Sequence, residues 1–126
     1  MITDDAIKAV YKKLIPAVSA VPVYQYARPA NCIDPAYFVI NALPIGSGIL
    51  QKCIINVNAY CDDVAPGVPD SLLLATMTNL IISTLDQATA ESSDIFFFYQ
   101  QQNVYRGEEL KDHYSNMRFE IRLLNN

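Results

Sequence analysis

The segment from Tyr114 to Leu124 alternates strictly. Met117, Phe119, Ile121 and Leu123 fall on one side, and Arg118, Glu120 and Arg122 fall on the other. Successive side chains of a strand point to opposite faces, so this run is satisfied only as a strand with one face on a core and one face wetter. The stretch from about Leu50 to Tyr60 behaves the same way. Cys53, Ile55, Val57 and Ala59 share one face, and Lys52, Asn56 and Asn58 share the other with Ile54 and Tyr60. Two strands of this kind require an antiparallel sheet whose apolar side is covered by another layer.

Two helical segments can supply that layer. Thr3 or Asp4 can cap a first helix whose Ile7, Val10, Tyr11, Leu14 and Ile15 recur at helical spacing, with Pro16 at its end. Lys8, Lys12 and Lys13 lie on its other face or near its C-terminal end, where cations favour the helix dipole. Asp70 or Ser71 can cap a second, longer helix reaching about Ala88. Its expected buried stripe is Leu73, Met77, Leu80, Ile81, Leu85 and Ala88, widened by Leu72, Leu74 and Ile82.

The remaining segments read as strands and turns. Pro22 to Tyr26 is extended, a polar loop runs from Asn31 to Pro35, and Tyr37 to Leu43 is a strand. Pro44-Ile45-Gly46-Ser47-Gly48 is a turn, and Asp62 to Pro69 is a break rich in proline and glycine. Ile95 to about Tyr105 pairs with the closing strand as a long hairpin, joined by the charged connection Arg106 to Asp112. The order is α-β-β-β-α-β-β, and it lacks the regular βαβ alternation of a doubly wound parallel sheet. The expected class is α+β, a mostly antiparallel sheet with both helices on one face, in a single domain spanning residues 1–126.

Composition narrows the function. Hydrophobic residues make up 52% and charged residues 17%, which excludes an intrinsically disordered chain. A soluble monomer carries about 25% charged residues, so apolar surface is left over for partners. The net charge is −4 with no basic cluster, which argues against nucleic acid and against a membrane surface. No apolar run approaches the ~20 residues of a membrane span, and Asp4 and Asp5 sit where a signal peptide would carry positive charge. The expected location is the cytoplasm.

Nothing in the chain selects a reaction. Cys32, Cys53 and Cys61 lack metal-ligand spacing and read as reduced, buried thiols. The single histidine, His113, could pair with Asp112 or Glu109, but a solvated or hydrogen-bonded role is favoured over acid–base work. Asp62 and Asp63, with Asp70, could approach a cation; a solvated turn is the favoured reading, because the alternating carboxylates of a calcium loop are absent. Gly46-Ser47-Gly48 runs into a strand, whereas phosphate loops open onto a helix. No catalytic residue, cofactor or metal is expected.

What remains is surface. Eight tyrosines, the half-polar strand face Lys52, Ile54, Asn56, Asn58 and Tyr60, and the mixed-charge stripe Arg118, Glu120 and Arg122 suit contact with a copy of the chain or with a partner.

In this order the chain resembles the tail-terminator (minor tail, tail-completion) proteins of long-tailed bacteriophages and prophages. The resemblance lies in the opening helix ending near Leu14-Ile15-Pro16, the Val23-Tyr24 strand start, and Pro35-Ala36-Tyr37-Phe38-Val39-Ile40. It continues through Ile55-Asn56-Val57-Asn58-Ala59-Tyr60, the Pro69-Asp70 helix, and the closing strand His113 to Ile121. It covers nearly the whole chain. It implies a structural protein that forms a homo-hexameric ring, caps the tail tube, ends its polymerisation and joins it to a head-completion protein, without nucleic acid or membrane. The implied location is the bacterial cytoplasm during assembly and then the virion tail. The candidate interface residues are Lys52, Ile54, Tyr60, Arg106, Glu108, Glu109, Lys111, Arg118, Glu120 and Arg122, and the 106–112 connection is expected to project toward a neighbour or the tube. Alternatives are another neck or head–tail connector component, a small ligand-binding or enzymatic α+β domain, and an interaction module unrelated to phage.

Overall fold

The computed structural model describes residues 3–18, 21–30, 33–45, 50–86 and 95–124. The elements run α1 (Thr3–Leu14), β1 (Val23–Gln25), β2 (Ala36–Ile45), β3 (Leu50–Asp62), α2 (Ser71–Leu85), β4 (Ile95–Arg106) and β5 (Asp112–Leu124). This is the expected α+β order. The side chains of Thr3 and Asp4, all of Cys32, residues 46–49 and Ala88 lie outside the described residues; Pro44 and Ile45, expected to open a turn, instead continue β2 in its pairing with β3.

The five strands form one sheet in the order β1-β2-β3-β5-β4. β1 joins β2 in parallel, and every other neighbour pair is antiparallel. Strand parity decides what each face carries. Ile40 pairs Val57 and Val57 pairs Met117, Ile55 pairs Phe119, and Phe97 pairs Ile121. These side chains form one buried layer with Ala6, Ile7, Val10 and Leu14 of α1 and Leu74, Met77, Ile81 and Leu85 of α2. Both helices therefore cover the same face. Phe38, Phe97 and Phe119 are among the largest fully buried side chains, and each contributes about 1.5–3 kcal/mol through burial.

The helices differ in how well their patterns foretell their faces. α1 buries Ala6, Ile7, Val10 and Leu14 and exposes Lys8, Lys12 and Lys13. Ile15, expected among its buried positions, follows the last helical residue and is exposed. α2 begins where Asp70 Oδ1 accepts the Leu73 N–H at 3.1 Å, the capping expected of Asp70. Its buried line is Leu74, Met77, Thr78, Ile81 and Leu85. Leu73 and Leu80, expected inside, are 36% and 37% exposed, and Leu72 is 80% exposed. The 15 residues of α2 include no charged side chain, so leucines ring the helix and periodicity alone does not mark the core side.

β1 ends abruptly at Tyr26, which holds a positive φ of 73°. The chain turns there, with the Ala27 N–H donating to the Gln25 carbonyl at 2.9 Å. It then returns across the face of the sheet opposite the helices, placing the Arg28 guanidinium 5.9 Å from the centre of the Tyr37 ring. β4 carries an irregularity between Tyr99 and Gln101, where its register against β5 shifts. The Tyr99 N–H on this strand is capped by Asp86 Oδ1 at 3.1 Å. No helix of the described residues is long and apolar enough to cross a membrane.

Candidate assembly surface

The face turned away from the helices is built from rows that run across the strands. Tyr37 pairs Tyr60, Tyr60 pairs Tyr114, and Tyr114 pairs Tyr105. The Tyr37 and Tyr60 rings stack at 4.8 Å and 10°, and those of Tyr60 and Tyr114 stack at 4.7 Å and 28°. Tyr105 packs against Tyr114 at 5.5 Å, and Tyr24 meets Tyr37 edge-on at 6.0 Å. Five tyrosines, one from each strand, thus cross the whole sheet. Stacked in this way the rings spend their faces on one another, and each such pair contributes about 0.5–1.5 kcal/mol beyond its burial. Burial pushes the Tyr60 hydroxyl up to about 12, helped by Tyr114, Tyr37, Asp112 and Glu108.

The next rows are amides. Asn116 Nδ2 donates to Asn58 Oδ1 at 2.7 Å and to Asn56 Oδ1 at 3.3 Å, and Asn56 Nδ2 donates to Asn41 Oδ1 at 3.1 Å. Arg118 Nε reaches Asn56 Oδ1 at 3.5 Å. Asn56 and Asn58 are buried although they face away from the core. Their polar groups are met by one another, which lets a polar row sit close-packed without a desolvation cost left unpaid by hydrogen bonds. Beyond them, Ile54 pairs Glu120, Arg122 Nε donates to Glu120 Oε2 at 2.6 Å, and the Arg122 guanidinium lies 4.7 Å over the Phe98 ring.

A cleft of about 290 Å³ opens at the tyrosine end of this face. Tyr37, Val39, Asn58, Tyr60 and Tyr114 line it together with Tyr26, Ala27 and Arg28 of the returning segment and Arg106, Glu108, Glu109 and Asp112 around the β4–β5 turn. That volume lies at the small end of ligand sites, which run from about 300 to 1,000 Å³. An ion pair between Arg28 and Glu109 ties the returning segment to the turn, and Lys111 Nζ lies 3.3 Å from the other Glu109 oxygen. These contacts hold the Glu109 carboxyl below the usual carboxylate range, the Lys111 hydrogen bond first and the Arg28 charge next. Asp112 moves the other way: burial raises it, the Asp62 and Glu109 charges add to this, and Arg28 and Lys111 oppose it.

The expected interface residues divide by place. Ile54, Tyr60, Arg118, Glu120 and Arg122 lie on this one face, and Lys52 shares its register through Arg122 although its side chain is outside the described residues. Arg106, Glu108, Glu109 and Lys111 gather at the β4–β5 turn. That turn folds toward Arg28 through Glu109, and Leu110 holds a positive φ of 61°. Sequence reasoning missed Arg28, Tyr24, Tyr37, Tyr105 and Tyr114 as members of one surface. For the tyrosines, shared parity in separate strands was the available signal, and only the register makes it a row; Arg28 lies after β1, outside any strand.

His113 Nδ1 lies 2.6 Å from Asp63 Oδ1, so the histidine pairs with Asp63 and neither with Asp112 nor with Glu109. Asp63 is buried rather than solvated, because the β3–α2 connection packs under the start of β5, where the Asp63 N–H donates to the Lys111 carbonyl at 3.0 Å. Burial pushes the Cys61 thiol up to about 11, and the Asp70, Asp62, Asp63 and Asp112 charges add to it. Cys53 and Cys61 are free and buried. Among the described residues, no group of three or more His, Cys, Asp or Glu stands together as a metal site.

No family model matches the chain, and no curated protein matches it. Solved structures do. A chain of the structure described as the virion of a native gene transfer agent (GTA) particle superposes with a TM-score of 0.62 at 14% identity, over 92% of this chain and 92% of that one. A second solved structure, which carries no functional description, superposes with a TM-score of 0.55 at 13% identity, over 98% and 96% of the two chains. At these identities the likeness is one of fold.

Proposed function

We propose that this chain is a non-catalytic structural protein of a phage-like particle, and that it forms a ring, hexameric in the assembled tail, which caps the tail tube and stops its growth. In this reading its other face meets the head-completion protein, and the mature location is the virion tail. The observation that carries it is the fold shared with a chain of a gene transfer agent virion over 92% of both lengths. The surface agrees with it. The face opposite the helices is a broad, ordered array of tyrosines, amides and charged groups, which suits docking of a flat partner. A ring arises when two different patches on one subunit meet head to tail and the rotation closes.

The test is negative-stain microscopy of the protein mixed with its tube subunit. Tubes of uniform length with a ring at one end are expected. Tubes whose length spread is unchanged by the protein, with no ring at either end, would refute the reading.

A further inference from the structure

Asp112 opens β5 at the floor of the cleft. Its side chain belongs to a residue only 5% exposed, yet no described lysine or arginine stands within ion-pair distance of it. Of the two guanidiniums that line the cleft, that of Arg28 is engaged by Glu109, and that of Arg106 reaches toward Gly67 in the β3–α2 connection. The cleft therefore offers a buried carboxylate, the exposed Glu108 and the tyrosine rims of Tyr60 and Tyr114. A carboxylate held in a partly desolvated cleft, with a second carboxylate at its mouth, is the chemistry that receives an ammonium group. Burial and the Asp62 charge raise Asp112 while Arg28 and Lys111 only partly offset them, so an arriving cation would relieve the remaining cost.

The chain carries the matching group on its opposite side. Lys8 and Lys12 are exposed one turn apart on α1, a like-charge spacing that costs an isolated helix a few tenths of a kcal/mol. Lys13 is exposed beside them, and no described carboxylate pairs with any of the three. α1 packs on the core face of the sheet, and the cleft opens on the other face. The two cannot meet within one molecule.

We infer that the Asp112 cleft receives a lysine side chain of α1 from a second copy, so that copies join head to tail. This contact supplies one subunit boundary of the ring proposed above and rests on that reading. It is heterologous, as ring closure requires, and it weakens with salt because the lysines are solvent-exposed.

The test uses the full-length chain with Cys32→Ser, into which Lys12→Cys and Glu108→Cys are introduced together and singly. Under mild oxidation the double variant is expected to give a ladder of cross-linked oligomers, and neither single variant extends beyond a dimer. In mass photometry at about 50 mM salt, Lys8→Gln/Lys12→Gln and Asp112→Asn should each weaken association at least tenfold, and their combination no further than the weaker of the two. Circular dichroism monitors folding of each variant. Wild-type rings on tubes together with no ladder from the double variant, or with losses that multiply, would overturn this contact and leave the ring reading standing. Absence of rings from the wild type in the presence of tubes would overturn both.

Discussion

A methyl group built on Gly107 would lie 1.7 Å from Asp112 Oδ1. The turn that joins β4 to β5 closes through this approach. The Gly107 N–H donates to the Asp112 carbonyl at 2.8 Å, and the Leu110 N–H donates to the Gly107 carbonyl at 3.1 Å. Glycine is required here for space, because the Asp112 carboxylate fills the volume a side chain would take. Gly107→Ala should cost about 1–3 kcal/mol, the range for overpacking a close contact. Urea denaturation measures it, and Gly107→Ala/Asp112→Ala should recover part of the loss. A single-variant loss below about 0.5 kcal/mol, typical of an unconstrained surface position, would contradict the geometry.

Asp112 should make stability depend on pH. Its carboxyl is raised by burial, so the folded state holds its proton to higher pH than the unfolded state does. Stability therefore falls as pH rises from the ordinary carboxylate value of 3.8 through the higher folded value. Asp112→Asn removes this slope. Relative to wild type, the variant should gain stability on passing from acid to neutral pH. Thermal melts at a series of pH values read the difference, and a gap in Tm that is constant across that window would exclude the assignment.

Thr78 Oγ1 donates to Ser115 Oγ at 2.6 Å, and Gln102 Nε2 donates to the same oxygen at 2.9 Å. Ser115 is fully buried, and this pair is a polar joint between α2 and the sheet. Ser115→Ala leaves the Thr78 hydroxyl without its partner and should cost about 1–3 kcal/mol. Thr78→Val/Ser115→Ala should cost clearly less than the sum of the single changes, because it removes both partners together. Strict additivity in a double-mutant cycle would show that the two hydroxyls are not coupled.

Tyr60 stands between Tyr37 and Tyr114 in the stack, whereas Tyr105 stacks on one side only and is 47% exposed. Tyr60→Ala removes two stacked contacts of a half-buried ring and should destabilise by about 2–3 kcal/mol, and Tyr105→Ala by about 1 kcal/mol. Tyr60→Phe keeps the ring and should retain most of the stability. Equal losses at positions 60 and 105 in chemical denaturation would mean that the row is not continuous.

Parts of this structure were legible because their signals are local. The parity of β3 and β5 placed Cys53, Ile55, Val57 and Ala59 opposite Asn56, Asn58 and Tyr60, and put Met117, Phe119 and Ile121 in the core. Asp70 announced the start of α2 as a side chain able to accept the N–H three residues on, that of Leu73. The face of α2 was not legible, since a helix without charge shows no contrast between its sides. The strand β4 and its pairing with the closing strand were legible, but its facing was not: the shift between Tyr99 and Gln101 breaks the alternation and moves Gln101, Asn103 and Tyr105 onto the same face as Phe96 and Phe98.

By itself, the amino-acid sequence determined the class of fold, the order of the elements and the core side of the two alternating strands. Those follow from the period of side chains along one segment. Only the tertiary structure decided that Tyr24, Tyr37, Tyr60, Tyr114 and Tyr105 form one row, that Arg28 reaches Glu109, and that His113 meets Asp63 fifty residues away. Such pairings depend on strand order and register, which are set by the packing of distant segments against a common core, and no local period records them.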